Sequence, residues 1–277
     1  MKLLDDAIRW AWQNAEKQTD IVDFIDNLDV SAGYFSRLFH VCMHMTFSEY
    51  YRRVIAYLTL LEVSESGSVD AVIKNGFASL NRFKQVTTLD ETTDITDVDP
   101  ETYRPVKTYT TVKTLSLPEK IVTVEPKDFL GFLYRGHNPE IGVLKQWEKL
   151  ENYLPDLRYD HPKYRSGLMA PIRDSDFELN NPSKGAFSYF CCQEVEGFTT
   201  SQKPFVYRLL PKRRFLRFTH TDAIASLNDT YKYIFSKRLV ALEIDYDEDY
   251  IYEIFEETPD GLMVHIHVPI KTEDDVR

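Results

Sequence analysis

Residues Tyr250–Ile270, YIYEIFEETPDGLMVHIHVPI, carry the pattern that decides the fold of the larger part of the chain. Two runs rich in Ile, Tyr, Phe, Val and His flank Thr258-Pro259-Asp260-Gly261, a turn composition that predicts a β-hairpin. Strand alternation puts Ile251, Glu253 and Phe255 on one face and Tyr250, Tyr252 and Ile254 on the other. Glu253 therefore sits among hydrophobes, where an unpartnered carboxylate is costly. The stretch alone leaves two readings open. Either Glu253 faces water from an edge strand, or it is a buried anion matched to a cationic or hydrogen-bonding ligand.

Working outward, the residues before the hairpin repeat one order of elements. KIVTVEPKDFLGFLYRG, from Lys120, reads as two strands joined at Glu125-Pro126-Lys127-Asp128. Residues 140–154 form an amphipathic helix with Ile141, Leu144, Trp147, Leu150 and Leu154 on one side, stopped by Pro155. SGLMAPIRD and AFSYFCCQEV follow as strands. FVYRLLPKRRFLRFTHTD then gives further strands, DTYKYIFSKRLVAL a helix, and the hairpin closes the chain. Strand–helix–strand–strand thus appears twice. A duplicated α+β unit joins two half-sheets, and the cleft between them is a natural ligand site. Tyr134, Trp147, Tyr189, Tyr231 and Phe255 are the candidate aromatic walls, with Glu253 or Glu194 as the charge for an apolar or cationic guest. Any one of these aromatics, taken alone, also reads as ordinary core.

Other constellations point to less. His265 and His267 share a strand face, but no third ligand at convincing spacing accompanies them, so neither metal nor cofactor is expected. Lys212, Arg213 and Arg214 read as a solvated turn. Cys42, Cys191 and Cys192 give no disulfide framework and no zinc spacing, and read as small buried hydrophobes.

The first hundred residues differ. Residues 1–63 are helical almost throughout, with Leu3, Leu4, Ala7, Ile8 and Trp12 at helical spacing, then Ile21, Phe24, Ile25 and Leu28. Ser31 is a good N-cap for AGYFSRLFHVC, and a further helix follows Thr46. Helix, short turn and second helix is helix-turn-helix spacing, a pattern many helical bundles share. Domains are expected at 1–106 and 119–277, with a linker over 107–118. Over residues 1–106, seventeen acids face ten bases, and the stretch TTLDETTDITDVDPE holds six acids and no base. Duplex DNA repels that balance.

The 277 residues allow two ordinary domains, and 43% hydrophobic residues suffice for their cores. The net charge of −11 argues against a broad non-specific nucleic-acid surface but leaves room for a small local one. No apolar run is long enough to span a membrane, and MKLLDDAIRWAW carries acids where a secretion signal needs bases. A cytoplasmic protein without a membrane partner is expected. Oligomeric state is not legible.

Two family resemblances sharpen this reading. IVDFIDNLDVSAGYFSRLFHVCMHMTFSEYYRR resembles the first helix-turn-helix of the AraC/XylS transcription regulators, with Leu38, Phe39, Thr46, Phe47 and Tyr50 at the motif positions. NGFASLNRF echoes the second motif through Gly76, Phe77, Ser79 and Phe83, and Pro100, Tyr103 and Arg104 match the family's closing Pro-x-x-Tyr-Arg. There are departures: His44 stands where the family has a glycine, and Ile55 replaces an arginine. The resemblance implies an all-α double helix-turn-helix domain on double-stranded DNA. Tyr34, Arg37 and His40 of the first recognition helix, and Asn81, Arg82, Lys84 and Gln85 of the second, are the candidate contacts.

SYFCCQEV, LLPKRRFLRFTH, DTYKYIF, YEIF and VHIHVPIK, in that order, resemble the GyrI-like effector-binding domain over nearly all of residues 119–272. That resemblance implies a small-molecule pocket with aromatic walls and a buried glutamate, which maps onto Glu253. Together the two imply a one-component transcription regulator that senses a small, apolar or cationic molecule. A small-molecule sequestering protein that has lost DNA binding is the alternative. A hydrolase would use Glu253 with Tyr189 or Tyr231 to activate water. No nucleophile–His–acid arrangement is legible, and an enzyme is not expected.

Overall fold

The computed structural model describes residues 2–106, 109, 112–244, 246–259 and 261–271. It separates into two compact units, one of Met1–Thr111 with Ile172–Ala186, the other of Val112–Pro171 with Phe187–Arg277. Residues 107, 108, 110 and 111 of the expected linker lie outside the described residues.

The first unit is helical. α1 spans Lys2–Asn14, α2 Ile21–Ile25, α3 Ala32–Met43, α4 Phe47–Ser66, α5 Asp70–Lys74 and α6 Leu80–Thr87. Polar residues start α3, α4 and α6 as their sequence requires. Ser31, Thr46 and Ser79 accept hydrogen bonds from the backbone N–H groups of Tyr34, Glu49 and Arg82. Trp10, Phe24, Phe35, Phe39 and Phe47 tile the core with ring centroids 5.1–6.1 Å apart. His44 ends α3 in the left-handed conformation at φ 60°, where a glycine costs nothing and a side chain is strained.

The second unit is an antiparallel sheet with helices. Its strands are β1 Glu119–Val124, β2 Lys127–Gly136, β3 Arg165–Met169, β4 Phe187–Val195, β5 Val206–Leu210, β6 Arg213–His220, β7 Ile251–Thr258 and β8 Gly261–Pro269. α7 spans Pro139–Tyr153. α8 (Leu227–Tyr233) continues through a π turn, Ile234–Arg238, into α9 (Leu239–Leu242). The sheet order is β1-β6-β8-β7-β3-β4-β2-β5. Each repeat contributes a half-sheet, β2-β4-β3 or β6-β8-β7, and the halves meet where β3 pairs with β7. The strand before each repeat crosses over: β1 pairs with β6 of the second repeat, and β5 with β2 of the first. The adjacent strands of KIVTVEPKDFLGFLYRG therefore do not pair with each other.

The expected hairpin is present, with Tyr252 opposite His267 and Glu253 opposite Ile266. Asp260 of its turn lies outside the described residues. One sheet face carries a core cluster that joins Val124 of one edge strand and Leu210 of the other with Phe129, Phe215 and Tyr252. Edge strands can share one cluster only if the sheet curls strongly. On the opposite face, Leu130, Phe132 and Val195 pack with Leu150 of α7. α7 buries less than its pattern predicts. Leu150 is fully buried, but Ile141 and Leu144 are 55% and 62% exposed. Among the described residues no helix is long and apolar enough to cross a membrane.

His267 is buried under the curled face. Its ring stacks on Tyr252 at 4.9 Å, and its Nδ1 lies 3.1 Å from the Tyr252 carbonyl oxygen. Burial holds its pKa down at about 3, although the Tyr252 carbonyl favours the charged form. The folded chain thus resists a proton that the unfolded chain accepts near pH 6.5. The stabilisation is complete above that pH and is lost as pH falls through the window down to about 3. Between pH 6 and 5 this one group steepens the loss of stability by up to about 1.4 kcal/mol per pH unit. Urea midpoints measured across that range are expected to fall less steeply for His267→Phe than for the parent. Equal slopes would contradict this role.

Candidate functional site

Glu253 lies in the middle of β7, where the two repeats meet, and is 2% exposed. The register builds its surroundings. Glu253 is paired across to Gly167 of β3, and Gly167 to Cys191 of β4. Tyr189, two residues before Cys191 and on the same face, reaches over Gly167 and donates its O–H to Glu253 Oε2. Tyr231 of α8 donates to Oε1 at 2.5 Å. Both carboxylate oxygens thus hold a phenolic hydrogen bond, which solvates a charge withdrawn from water. Burial, reinforced by the negative charge of Glu253, pushes the Tyr189 phenol well above its usual range, so it remains a donor.

Gly167 makes this crossing possible. A Cβ there would stand 1.9 Å from the Tyr189 hydroxyl oxygen and 3.0 Å from Glu253 Oε2. Gly167→Ala is therefore expected to expel Tyr189 from Glu253 and to cost about 1–3 kcal/mol. Chemical denaturation would read the cost, and ultraviolet resonance Raman the lost tyrosine hydrogen bond. An unchanged tyrosine signal would refute the packing argument.

Aromatic rings stand over this floor. Trp147 of α7 lies edge-on to Phe255 at 5.4 Å and to Tyr189 at 6.3 Å. Phe187 stacks on Tyr189 at 6.3 Å, and Tyr134 follows Phe187 at 6.4 Å. Tyr134, Trp147 and Phe255 are half-buried, while Glu253, Tyr189 and Tyr231 are buried. The arrangement is a deep anion beneath partly accessible ring faces. Such a site favours an apolar guest with a diffuse positive charge. The Cys191 thiol belongs to the same wall. Burial, with Glu253 adding to it, raises its pKa far above the usual range and keeps it an unreactive thiol.

Of the seven candidate ligand residues, six gather here. Glu194 does not. It is opposite Phe129, one position out of phase with Cys191, and so occupies the curled face. There it accepts hydrogen bonds from Lys127 and, at 2.5 Å, from Tyr164. Gly167 was missed by sequence reasoning, whereas Cys191 was read as a small buried hydrophobe and is one. The signal for Gly167, a small residue inside a strand, marks a close approach only once its neighbours are known.

The other constellations have structural partners. His265 Nδ1 lies 3.1 Å from Thr219 Oγ1. Arg213 pairs with Asp247 and Asp249, and Lys212 with Glu125.

The candidate DNA contacts divide. On α3, Arg37 is 1% exposed and cannot reach a duplex from this position, whereas Tyr34 and His40 are half-buried. Burial lifts Tyr34 to about 12. His40 is held down at about 3 by burial, then by the charges of Arg37 and His44, and is neutral at pH 7. On α6, Asn81 and Gln85 are exposed and Arg82 half-buried, its Nη1 donating to Gln85 at 2.9 Å. Lys84 is 7% exposed and donates to the Glu91 carbonyl at 2.6 Å, so its charge serves the fold.

Residues 120–270 match the family described as Cass2, integron-associated effector binding protein. Among solved structures, an integron cassette protein from the mobile metagenome of Vibrio cholerae is similar over 55% of this chain and 95% of its own, at 16% identity and a TM-score of 0.39. The EcmrR C-terminal domain is similar over 57% and 99%, at 12% identity and a TM-score of 0.42. A protein bound to tetraphenylphosphonium, SAV2435, is similar over 56% and 94%, at 13% identity and a TM-score of 0.42. No curated protein matches the chain.

Proposed function

We propose that this chain, which belongs to the Cass2 family of integron-associated effector binding proteins, is a one-component transcription regulator of the AraC/XylS type. Residues 119–277, apart from the segment 172–186 that clusters with the helices, supply the effector-binding domain and residues 1–106 the DNA-binding one. The effector is a small apolar molecule with a diffuse positive charge. The observation that carries this reading is Glu253, a buried carboxylate fixed by Tyr189 and Tyr231 beneath Trp147 and Phe255. A guest of this kind gains from ring faces and from a desolvated anion together. An uncharged guest would forfeit the second.

Calorimetry with tetraphenylphosphonium, a bulky cation without N–H donors, tests the pocket. One-to-one saturable binding to the full chain is expected, and no binding at millimolar cation would overturn the reading.

The DNA-binding half rests on α2–α3 and α5–α6 as the paired helix-turn-helix units. Tyr34, His40, Asn81, Arg82 and Gln85 remain the side chains through which they would touch a duplex. A second reading has its own observation. With Arg37 and Lys84 buried and acids in excess over residues 1–106, the helices offer DNA few cations. On that reading the chain sequesters its ligand without regulating a gene.

A further inference from the structure

The segment between β3 and β4 belongs to the helical unit. β3–β4 pairing closes with Ala170 N donating to the Ser188 carbonyl at 3.0 Å, and residues 172–186 between them cluster with the helices. So long a connection without a strand or α-helix of its own is uncommon in a compact domain unless it has a task.

Its contacts with the helices are specific. Asp174, 1% exposed, accepts from Ser48 N at 2.8 Å in the first turn of α4, and its own carbonyl accepts from Ser48 Oγ at 3.0 Å. It acts as a second cap on that helix, beside Thr46. One turn on, Arg52 Nη2 donates to the carbonyls of Glu178, Asn181 and Lys184 at 3.2–3.4 Å, and its guanidinium lies 5.2 Å from the Phe177 ring centroid. Gly185, at φ 68°, brings the chain so close to α4 that a Cβ would meet Ser48 Oγ at 2.3 Å. Asn180 reaches the other motif. It donates to the Gly76 carbonyl and accepts from Ala78 N, each at 2.9 Å, at the turn between α5 and α6.

One segment thus holds both the start of α4, which follows the first recognition helix, and the turn that launches the second. Its ends lead straight into the effector site. β3 carries Gly167, and β4 carries Tyr189 three residues after the segment ends. Arg52 Nε and Nη1 are buried with no hydrogen-bond partner among the described residues, so the present arrangement leaves donors for another.

We infer that residues 172–186 are the element through which occupancy of the Glu253 site reaches the two helix-turn-helix units. The inference rests on the effector pocket proposed above. A guest that displaces Tyr189 from Glu253 moves β4 just beyond the point where the segment ends, and Asp174, Arg52 and Asn180 carry that change to α4 and the α5–α6 turn. Coupling needs two arrangements that each site can favour, and the Tyr189–Glu253 bond, made or broken, distinguishes them.

Hydrogen exchange on the full chain tests this without depending on any ligand. Tyr231→Phe perturbs Glu253 from α8, far along the chain from the segment. Loss of that one hydrogen bond is expected to speed exchange at the Ser48 and Ala78 amides about two- to tenfold while α1 is unchanged. Adding Asn180→Ala should abolish the response at Ala78 and keep that at Ser48. A change confined to α8, β3, β4 and β7 would overturn the inference, and Glu253→Gln serves as the perturbation if Tyr231→Phe does not fold. Tetraphenylphosphonium added to the parent chain gives a separate arm. Failure to bind refutes the pocket reading, whereas binding with no change at Ser48 and Ala78 refutes the coupling.

Discussion

Glu253→Gln is expected to weaken tetraphenylphosphonium binding by about a hundredfold or more, with the fold intact. The substitution preserves shape and removes the charge. In the parent the carboxylate is already buried, so part of the cost of placing an anion there is met by Tyr189 and Tyr231 before a guest arrives. The cation then meets an anion that keeps its Tyr231 bond when Tyr189 is displaced, in a medium that screens it poorly. Glutamine leaves only the ring faces of Trp147 and Phe255. Because its amide would also confront two phenolic donors with one oxygen acceptor, one tyrosine must turn or lose its bond. Calorimetry of parent and variant, with urea denaturation as the control for folding, measures the effect. Affinity unchanged within about threefold, roughly 0.6 kcal/mol, would show that Glu253 does not hold the guest.

The second large effect concerns Arg52. Arg52→Met is expected to destabilise the chain by about 2–3 kcal/mol. Methionine keeps much of the stem's packing but removes the donor to three backbone carbonyls and the guanidinium over Phe177. Asp174 and Arg52 would lose their mutual attraction, although burial already pushes the Asp174 pKa up. Arg9→Met provides the contrast. Arg9 makes an exposed pair with Asp6 at 3.0 Å, and exposed pairs contribute about 0–1 kcal/mol. Urea midpoints of the two variants should differ clearly. If Arg52→Met were no worse than Arg9→Met, the segment 172–186 would be an ornament on the helices and could transmit nothing.

Local rules made part of this structure legible in the sequence. The hairpin and the face assignment of Ile251, Glu253 and Phe255 follow from two-residue alternation, and the register bears them out. Ser31 and Thr46 could be read as caps because a cap is decided by its own next three residues. The twofold repeat of strand–helix–strand–strand was visible for the same reason. What failed was non-local. The exchange of β1 and β5 between half-sheets depends on pairing partners far apart in sequence. Glu194 was grouped with Glu253 because each is an acid among aromatics. Only the register shows that it is one residue out of phase and faces the other way.

The helical unit shows the same limit. Arg37 and Lys84 fall at positions where charge reads as solvent-facing, and both are buried. On α7 the error runs the other way, since the apolar stripe predicts burial for Ile141 and Leu144 and both are exposed. The place of residues 172–186 with the helices had no sequence signal, because the partners of Asp174 and Asn180 lie about a hundred or more residues away.

The most direct test of the central claim is fluorescence anisotropy of labelled duplex from upstream of the gene, against random duplex, through a salt series with and without tetraphenylphosphonium. The regulator account predicts selective binding that weakens with salt and changes when the cation is present. If the cation binds tightly yet no duplex is preferred even at low salt, the chain is a ligand-binding protein and the regulator account is wrong.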